Sequence, residues 1–216
     1  MKKILIAIIC AAISIPAAAQ YETDYGRTTA KSDPDYYQNY YGLRLGLNVA
    51  TVNSDDSRLD GGSAKTGLNI GAVAGFLLTP SVPVYLETGL YYSERGGKGY
   101  VEGSKFTYSL NYLKVPIVVK YKYDIDGSFS VQPFAGGYLA LGVSGKVKNY
   151  DERETYSSFS ENFFKRFDGG LKIGCGAEYN VIYAELGYDL GLANICHSDF
   201  DSSHTGCFYI NAGVNF

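Results

Sequence analysis

The sequence predicts an all-β protein: an eight-stranded antiparallel up-and-down transmembrane β-barrel with a polar, side-chain-filled lumen. Three observations predict it. The chain closes on strict period-two alternation, with Phe208, Ile210, Ala212, Val214 and Phe216 on one face and Tyr209, Asn211, Gly213 and Asn215 on the other. About eight segments of this kind recur, each near the ~9–11 residues that a tilted membrane strand needs. The connections between them alternate between short and long, as periplasmic turns and outer loops do in an outer-membrane barrel.

The elements follow in order. Lys2 and Lys3 precede an apolar run, Ile4 to Ile15, and then Ala17-Ala18-Ala19. That is the pattern of a secretory signal peptide over residues 1–19, and the run is too short to span a bilayer as a helix. Residues 20–40 are polar and aperiodic and are expected to form a flexible periplasmic segment. Residues 41–216 form the barrel domain. Its strands are expected at about 41–50, 68–78, 84–93, 108–123, 129–144, 167–179, 182–192 and 208–216. The short connections are 79–83, 124–128 and 180–181, and the long ones are 51–66, 94–107, 145–166 and 193–206. Asn180-Val181 reads as a two-residue hairpin turn, with Asn tolerating positive φ. Pro116 and Pro133 fall inside strands that a closed barrel leaves without a free edge, so each should mark a bulge or a locally unpaired rung.

Composition agrees. Tyr (21) and Gly (26) are abundant and Trp is absent, so Tyr must supply the interfacial aromatics. The net charge of -3 offers nothing to a nucleic acid.

A soluble barrel of similar strand count hides its apolar face, whereas a membrane barrel shows that face to lipid. Here the apolar faces are almost free of charge. The opposite faces carry Arg44, Lys114, Lys120, Lys122 and Lys172 with Glu87, Asp168, Glu178, Glu185 and Asp189. A cation in lipid costs roughly 2–4 kcal/mol at the midplane, so this sorting is what a membrane barrel requires. In a narrow lumen the charges must pair. Position along the strands predicts two tiers. The periplasmic tier holds Arg44, Lys120 and Lys122 with Glu87, Glu178 and Glu185, and the outer tier holds Lys114 and Lys172 with Asp168 and Asp189. A lumen of about eight strands leaves no continuous channel, so the network reads as structural.

The last long loop gathers Cys196, His197, Asp199, Asp201, His204 and Cys207. Cys196 and Cys207 leave two states open, a disulfide across the loop or separate thiols. The Cys/His spacing does not match a closed zinc pattern, and no nucleophile elbow accompanies the loop's Ser, His and Asp residues. No catalytic residue, cofactor or metal is assigned.

Leu110-Asn111-Tyr112-Leu113-Lys114-Val115-Pro116-Ile117-Val118-Val119-Lys120-Tyr121 resembles a characteristic strand of the PorT-like outer-membrane barrels of Bacteroidetes. So do the preceding strand Tyr85–Gly97, Pro133-Phe134-Ala135-Gly136-Gly137-Tyr138, and Ala184-Glu185-Leu186-Gly187-Tyr188 continued by Gly191-Leu192-Ala193-Asn194-Ile195. The resemblance covers about 41–216 and implies a Gram-negative outer-membrane location. The protein naming that family serves a secretion system and gliding. Separately, the alternating last strand closed by Phe216 is expected to be the C-terminal signal read by the barrel assembly machinery.

The expectation is therefore a monomeric, non-enzymatic outer-membrane protein surrounded by outer-membrane lipid. It acts by binding or adhesion through its four outer loops, above all 145–166 with Phe159, Phe163 and Phe164, and has an extracellular or periplasmic protein partner. An accessory part in a secretion or envelope-assembly complex is the alternative. An outer-leaflet lipid-modifying enzyme is the third reading.

Overall fold

The structure is a computed structural model that describes residues 38–54, 63–101, 104–149, 155–159, 164–196 and 203–216. The segments read as a signal peptide (1–19) and most of the periplasmic segment (20–40) lie outside the described residues.

Among the described residues, eleven strands form one sheet: β1 (Tyr40–Ser54), β2 (Ser63–Thr79), β3 (Val82–Val101), β4 (Ser104–Tyr121), β5 (Tyr123–Asp124), β6 (Phe129–Ser144), β7 (Lys146–Asn149), β8 (Thr155–Ser157), β9 (Phe167–Tyr179), β10 (Ile182–Gly191) and β11 (Ser203–Asn215). Eight of them are staves of a closed antiparallel barrel. Each of β1, β2, β3, β4, β6, β9, β10 and β11 pairs with the next, and β11 returns to β1 along Gly42↔Asn215 to Ser54↔Ser203. At the foot of that closing seam, Phe216 and Tyr41 exchange backbone hydrogen bonds of 2.8 and 3.1 Å. Closure removes the sheet edges that lipid cannot solvate.

Alternation sets the two faces. Leu45, Leu47, Ile70, Leu90, Ile117, Leu139, Ile173, Leu186 and Ile210 are exposed on the outer wall. Tyr41, Tyr121, Tyr123 and Tyr179 stand exposed at its periplasmic end, where amphipathic rings meet headgroups. The turns carry the residues their backbone demands. Asn180 has φ 53° in the two-residue turn between β9 and β10. Gly127 has φ 80°, beside an Asp126 carboxylate that accepts from the amides of Ser128 and Phe129.

Two differences from the sequence reading are physical, and one point it left open is decided. First, the staves run past the membrane: β3 and β4 continue to a hairpin at Val101↔Ser104, so most of 94–107 is strand and not loop. Second, β1 starts at Tyr40, so the end of the segment read as a periplasmic leader is wall. Third, of the two options open at Pro116 and Pro133, a bulge or an unpaired rung, the structure takes the unpaired rung and makes no register shift. The β3–β4 register is the same at Thr88↔Ile117 and Tyr91↔Lys114, and the rungs at Val115 and Pro116 are left unpaired. Pro133 pairs with Cys175 on one side and faces the break between β4 and β5 on the other. A proline without an N–H costs no hydrogen bond at a rung that is already open. Among the described residues the register shifts lie elsewhere, between Ala64 and Asn69 and between Leu77 and Thr79 on β2, and between Asn111 and Tyr112 on β4.

Candidate functional site: the lumen and its outer cover

The lumen is filled in layers. Lowest, at the periplasmic mouth, Lys122 Nζ donates to Glu178 Oε1 at 2.7 Å, while Gln132 and Asn215 donate to Glu178 Oε2. Both charged side chains are partly open to water.

Above them lies a closed layer. Glu87 Oε2 accepts from Lys120 Nζ at 2.6 Å and from Tyr40 O–H at 2.5 Å, with Arg44 at 3.9 Å. Lys120 also reaches Tyr183 Oη at 2.8 Å, and Tyr183 donates to Glu185. The Arg44 guanidinium lies 3.9 Å over the Tyr183 ring and donates to Asn215 at 2.6 Å. Tyr40 fits only because position 75 is glycine: a Cβ there would collide with its ring. The middle is amide and aromatic. Asn211 donates to Glu185 at 2.7 Å and accepts from Asn69 at 2.9 Å, with Val118, Phe134 and Tyr209 packed alongside.

The outer tier centres on Arg95. Its Nη2 meets Asp189 at 2.5 Å, and its Nη1 meets Asp168 and Tyr138, each at 3.2 Å. Lys114 joins Asp189 at 2.8 Å and Lys172 joins it at 3.6 Å. Lys172 also sits 3.6 Å over the Tyr209 ring, and Thr205 donates to Asp168 at 2.9 Å. All five charged groups of this tier are buried. The structure thus brings Arg44, Glu87, Lys114, Lys120, Lys122, Asp168, Lys172, Glu178, Glu185 and Asp189 into one lumen. Arg95, which organises the outer tier, escaped the sequence reading because 94–107 read as loop. Its signal was present, since Glu87, Gly89, Tyr91, Ser93 and Arg95 continue one alternation.

Over that tier lies an apolar cover. After β6 the chain turns back through β7 and β8, and β7 pairs with the outer part of β4. This lays Phe159 edge-on to Tyr112 at 5.8 Å, and Phe164 is stacked on Tyr108 at 5.2 Å. Val52, Leu110, Tyr138, Ala140, Ile195 and Cys196 complete the cluster. The expectation that Phe159 and Phe164 form a displayed working surface is therefore corrected: both are buried, because the mouth of the barrel offers apolar rings and water does not. Phe163 lies outside the described residues.

Of the two states left open for Cys196 and Cys207, the structure has separate thiols, both buried. Cys207 is on the barrel wall, in register with Ala50 and Asp189, while Cys196 belongs to the cover and bridges Phe164. Residues 197–202, with most of the Ser, His and Asp candidates, lie outside the described residues. Among the described ones, no group of three His, Cys, Asp or Glu is placed to hold a metal.

An apolar outer wall, a charged interior and closed antiparallel staves together define an integral outer-membrane barrel. The family described as outer membrane protein beta-barrel domain matches residues 36–197, and the chain belongs to it. It is a protein of the Gram-negative outer membrane. Solved structures similar to it include Neisserial surface protein A (14% identity, 82% of this chain and 97% of that one, TM-score 0.48). Others are the attachment invasion locus protein Ail of Yersinia pestis (16%, 83% and 99%, 0.43) and OprG of Pseudomonas aeruginosa (11%, 86% and 99%, 0.41). No curated protein matches the chain.

Proposed function

We propose that this protein is a non-conducting, non-catalytic barrel that acts by recognition at the outer face of the cell. The observation that carries this reading is the projecting sheet. From the last lipid-facing rung near Tyr92 and Leu113, β3 and β4 run on to Val101 and Ser104. At ~3.3 Å per residue and a tilt of about 40°, that places the hairpin about 20 Å above the apolar belt. β7 and β8 add to the same sheet, and β8 is its terminal strand. A sheet built beyond the membrane on a rigid barrel, with an edge left open among the described residues, is a recognition platform: an extended segment of a protein partner can add to it. The filled lumen and its cover argue against a transport role.

Two measurements test this. Reconstituted in planar bilayers, the protein should give no unitary conductance, and steps of a water-filled pore would overturn the non-conducting reading. Photo-crosslinkers placed at positions 101, 104 and 156 in intact cells should capture an extracellular protein. Capture only from the periplasmic turns would overturn the outer-face reading.

A second reading has its own observation. Ile125 and Val181, at the tips of two periplasmic turns, are 57% and 46% exposed. These tips suit a role as an accessory, PorT-like part of a secretion or envelope-assembly complex, with its contact on that side. Crosslinkers at positions 125 and 181 test it.

A further inference from the structure

One half of the outer rim is basic, and the sheet register explains how its lysines come to share one wall. On β2 the faces alternate regularly from Gly75 up to Asn69, both inward. Between Asn69↔Ser93 and Ala64↔Gly97, however, four residues of β2 oppose three of β3. On its β1 side the same stretch keeps its register, Lys65 opposite Ala50, so the interruption lies on the β3 side alone. Lys65 crosses Gly96 of β3, which has no side chain to obstruct it, and donates to Ser109 Oγ of β4 at 2.9 Å. Asn48 holds the interrupted seam from the lumen, donating to Glu94 O at 3.0 Å and to Ser93 Oγ at 3.0 Å.

Lys98 pairs in register with Thr107, and Thr107 pairs with Lys148, so one rung runs Ser63, Lys98, Thr107, Lys148, Thr155 across five strands. Lys146 is exposed one step nearer the membrane, and Lys165 is exposed where the chain enters β9. The partly exposed acid on this wall, among the described residues, is Glu94, whose carboxylate already accepts from the Leu68 amide at 3.2 Å. On the other half of the rim, the described positions Thr51, Asn194 and His204 carry no carboxylate, lysine or arginine.

Height selects the occupant. Lys65 and Lys146 lie level with Gly96 and Ser109, four residues beyond the last rung of the belt. By strand rise and tilt that is about 10 Å above it. The headgroup layer occupies roughly 5–8 Å beyond the hydrocarbon. A lysine stem, about 6 Å long, lets an ammonium at this height reach back into that layer. A lipid headgroup in that layer reaches the lysines from the side.

We infer that the outward wall bearing Lys65, Lys98, Lys146 and Lys165 binds the phosphates of anionic outer-leaflet glycolipids, fixing a lipid ring along the β2–β3–β4–β9 side of the barrel. The test uses the full folded protein in neutral detergent, with bis-phosphorylated and dephosphorylated lipid A as probes, and native mass spectrometry to count adducts. The phosphorylated probe should bind at least tenfold tighter than the dephosphorylated one. Lys65→Gln/Lys98→Gln/Lys146→Gln/Lys165→Gln should remove that preference, and the same four positions as Arg should retain it. High salt should weaken the wild-type preference. Equal binding of the two probes, or an unchanged preference in the Gln variant, overturns the inference. So does complete displacement by millimolar inorganic phosphate, which would mark a free-phosphate site. All four side chains lie outside the core, so heat-modifiable gel mobility should report a folded barrel. If the quadruple variant does not fold, Lys98→Gln alone must lower the preference measurably, and no change there overturns the inference.

Discussion

The two ends of the lumen solve the same problem differently. The periplasmic end is closed by pairs: Lys122 with Glu178, Lys120 with Glu87, and Tyr40 lying across Glu87. The outer end is closed by a hub, in which one guanidinium joins two carboxylates, and by a second lid of rings from another part of the chain. Pairs fail one at a time. A hub fails together, because removing Arg95 takes the cation from Asp168 and one of three from Asp189, in a place water does not reach. The outer end should therefore be the more fragile half, and substitutions at matching depths can break or sharpen that contrast.

The largest effect is expected at the hub. Arg95→Met should cost about 3–5 kcal/mol, the usual penalty for breaking a buried ion pair from one side. It should appear as a lowered urea midpoint for the barrel refolded in lipid vesicles. Arg95→Lys should recover only part of the loss, since one ammonium cannot reproduce a fork that grips Asp168 with one nitrogen and Asp189 with the other. An Arg95→Met barrel as stable as wild type would end the hub description.

Next comes the lid. Phe159→Ala/Phe164→Ala removes two rings stacked or edge-on to Tyr112 and Tyr108. Phe→Ala in a core costs about 3–5 kcal/mol, but the lid is a local unit, so the loss should appear as local opening more than as global unfolding. Cys196, buried within it, and Cys207, buried on the barrel wall, are reporters. A membrane-impermeant maleimide should label the double variant at least tenfold faster than wild type at these thiols, with Cys175→Ser as background. Gly142→Val should act the same way, because a side chain at 142 would occupy the place of the Phe159 ring.

The contrast also shows what a linear reading could see. Period-two alternation carries the faces, so eight staves, the lipid belt and ten lumen charges were all legible in it. Arg95 was not, because 94–107 read as loop; in the fold Gly96 is a rung with φ 141° against the Tyr108 carbonyl, and Gly97 leaves room for the Tyr108 ring. The lid was not legible either. Whether Phe159 faces water or Tyr112 depends on β7 pairing with β4, a contact between segments about 40 residues apart that no local pattern encodes. The prolines were seen as irregular, but which kind of irregularity they mark is decided by the neighbouring strands. The reach of Lys65 across Gly96 to Ser109 depends on the interrupted register of β2 against β3, and sequence alone does not supply it.

At the periplasmic end the effects should be smaller. Tyr40→Phe deletes the 2.5 Å hydrogen bond to Glu87 while leaving the ring and the Lys120 partner in place, so about 1 kcal/mol should be lost. Tyr40→Ala removes the ring as well and should cost more. If the two variants are equally stable, the ring is not what seals this end.

The smallest effect is expected at Lys122. Its 2.7 Å bond to Glu178 is geometrically as good as any at the hub, yet a quarter of the lysine side chain is open to water. Glu178 also keeps Gln132 and Asn215 as donors when Lys122 is gone. Water can solvate what is left, so Lys122→Met should cost under about 1 kcal/mol and shrink further in high salt. A single urea titration series of Lys122→Met beside Arg95→Met measures the same kind of contact at the two ends. Equal losses would mean that depth in the lumen, and not bond length, has been misjudged as the quantity that sets the worth of these charges.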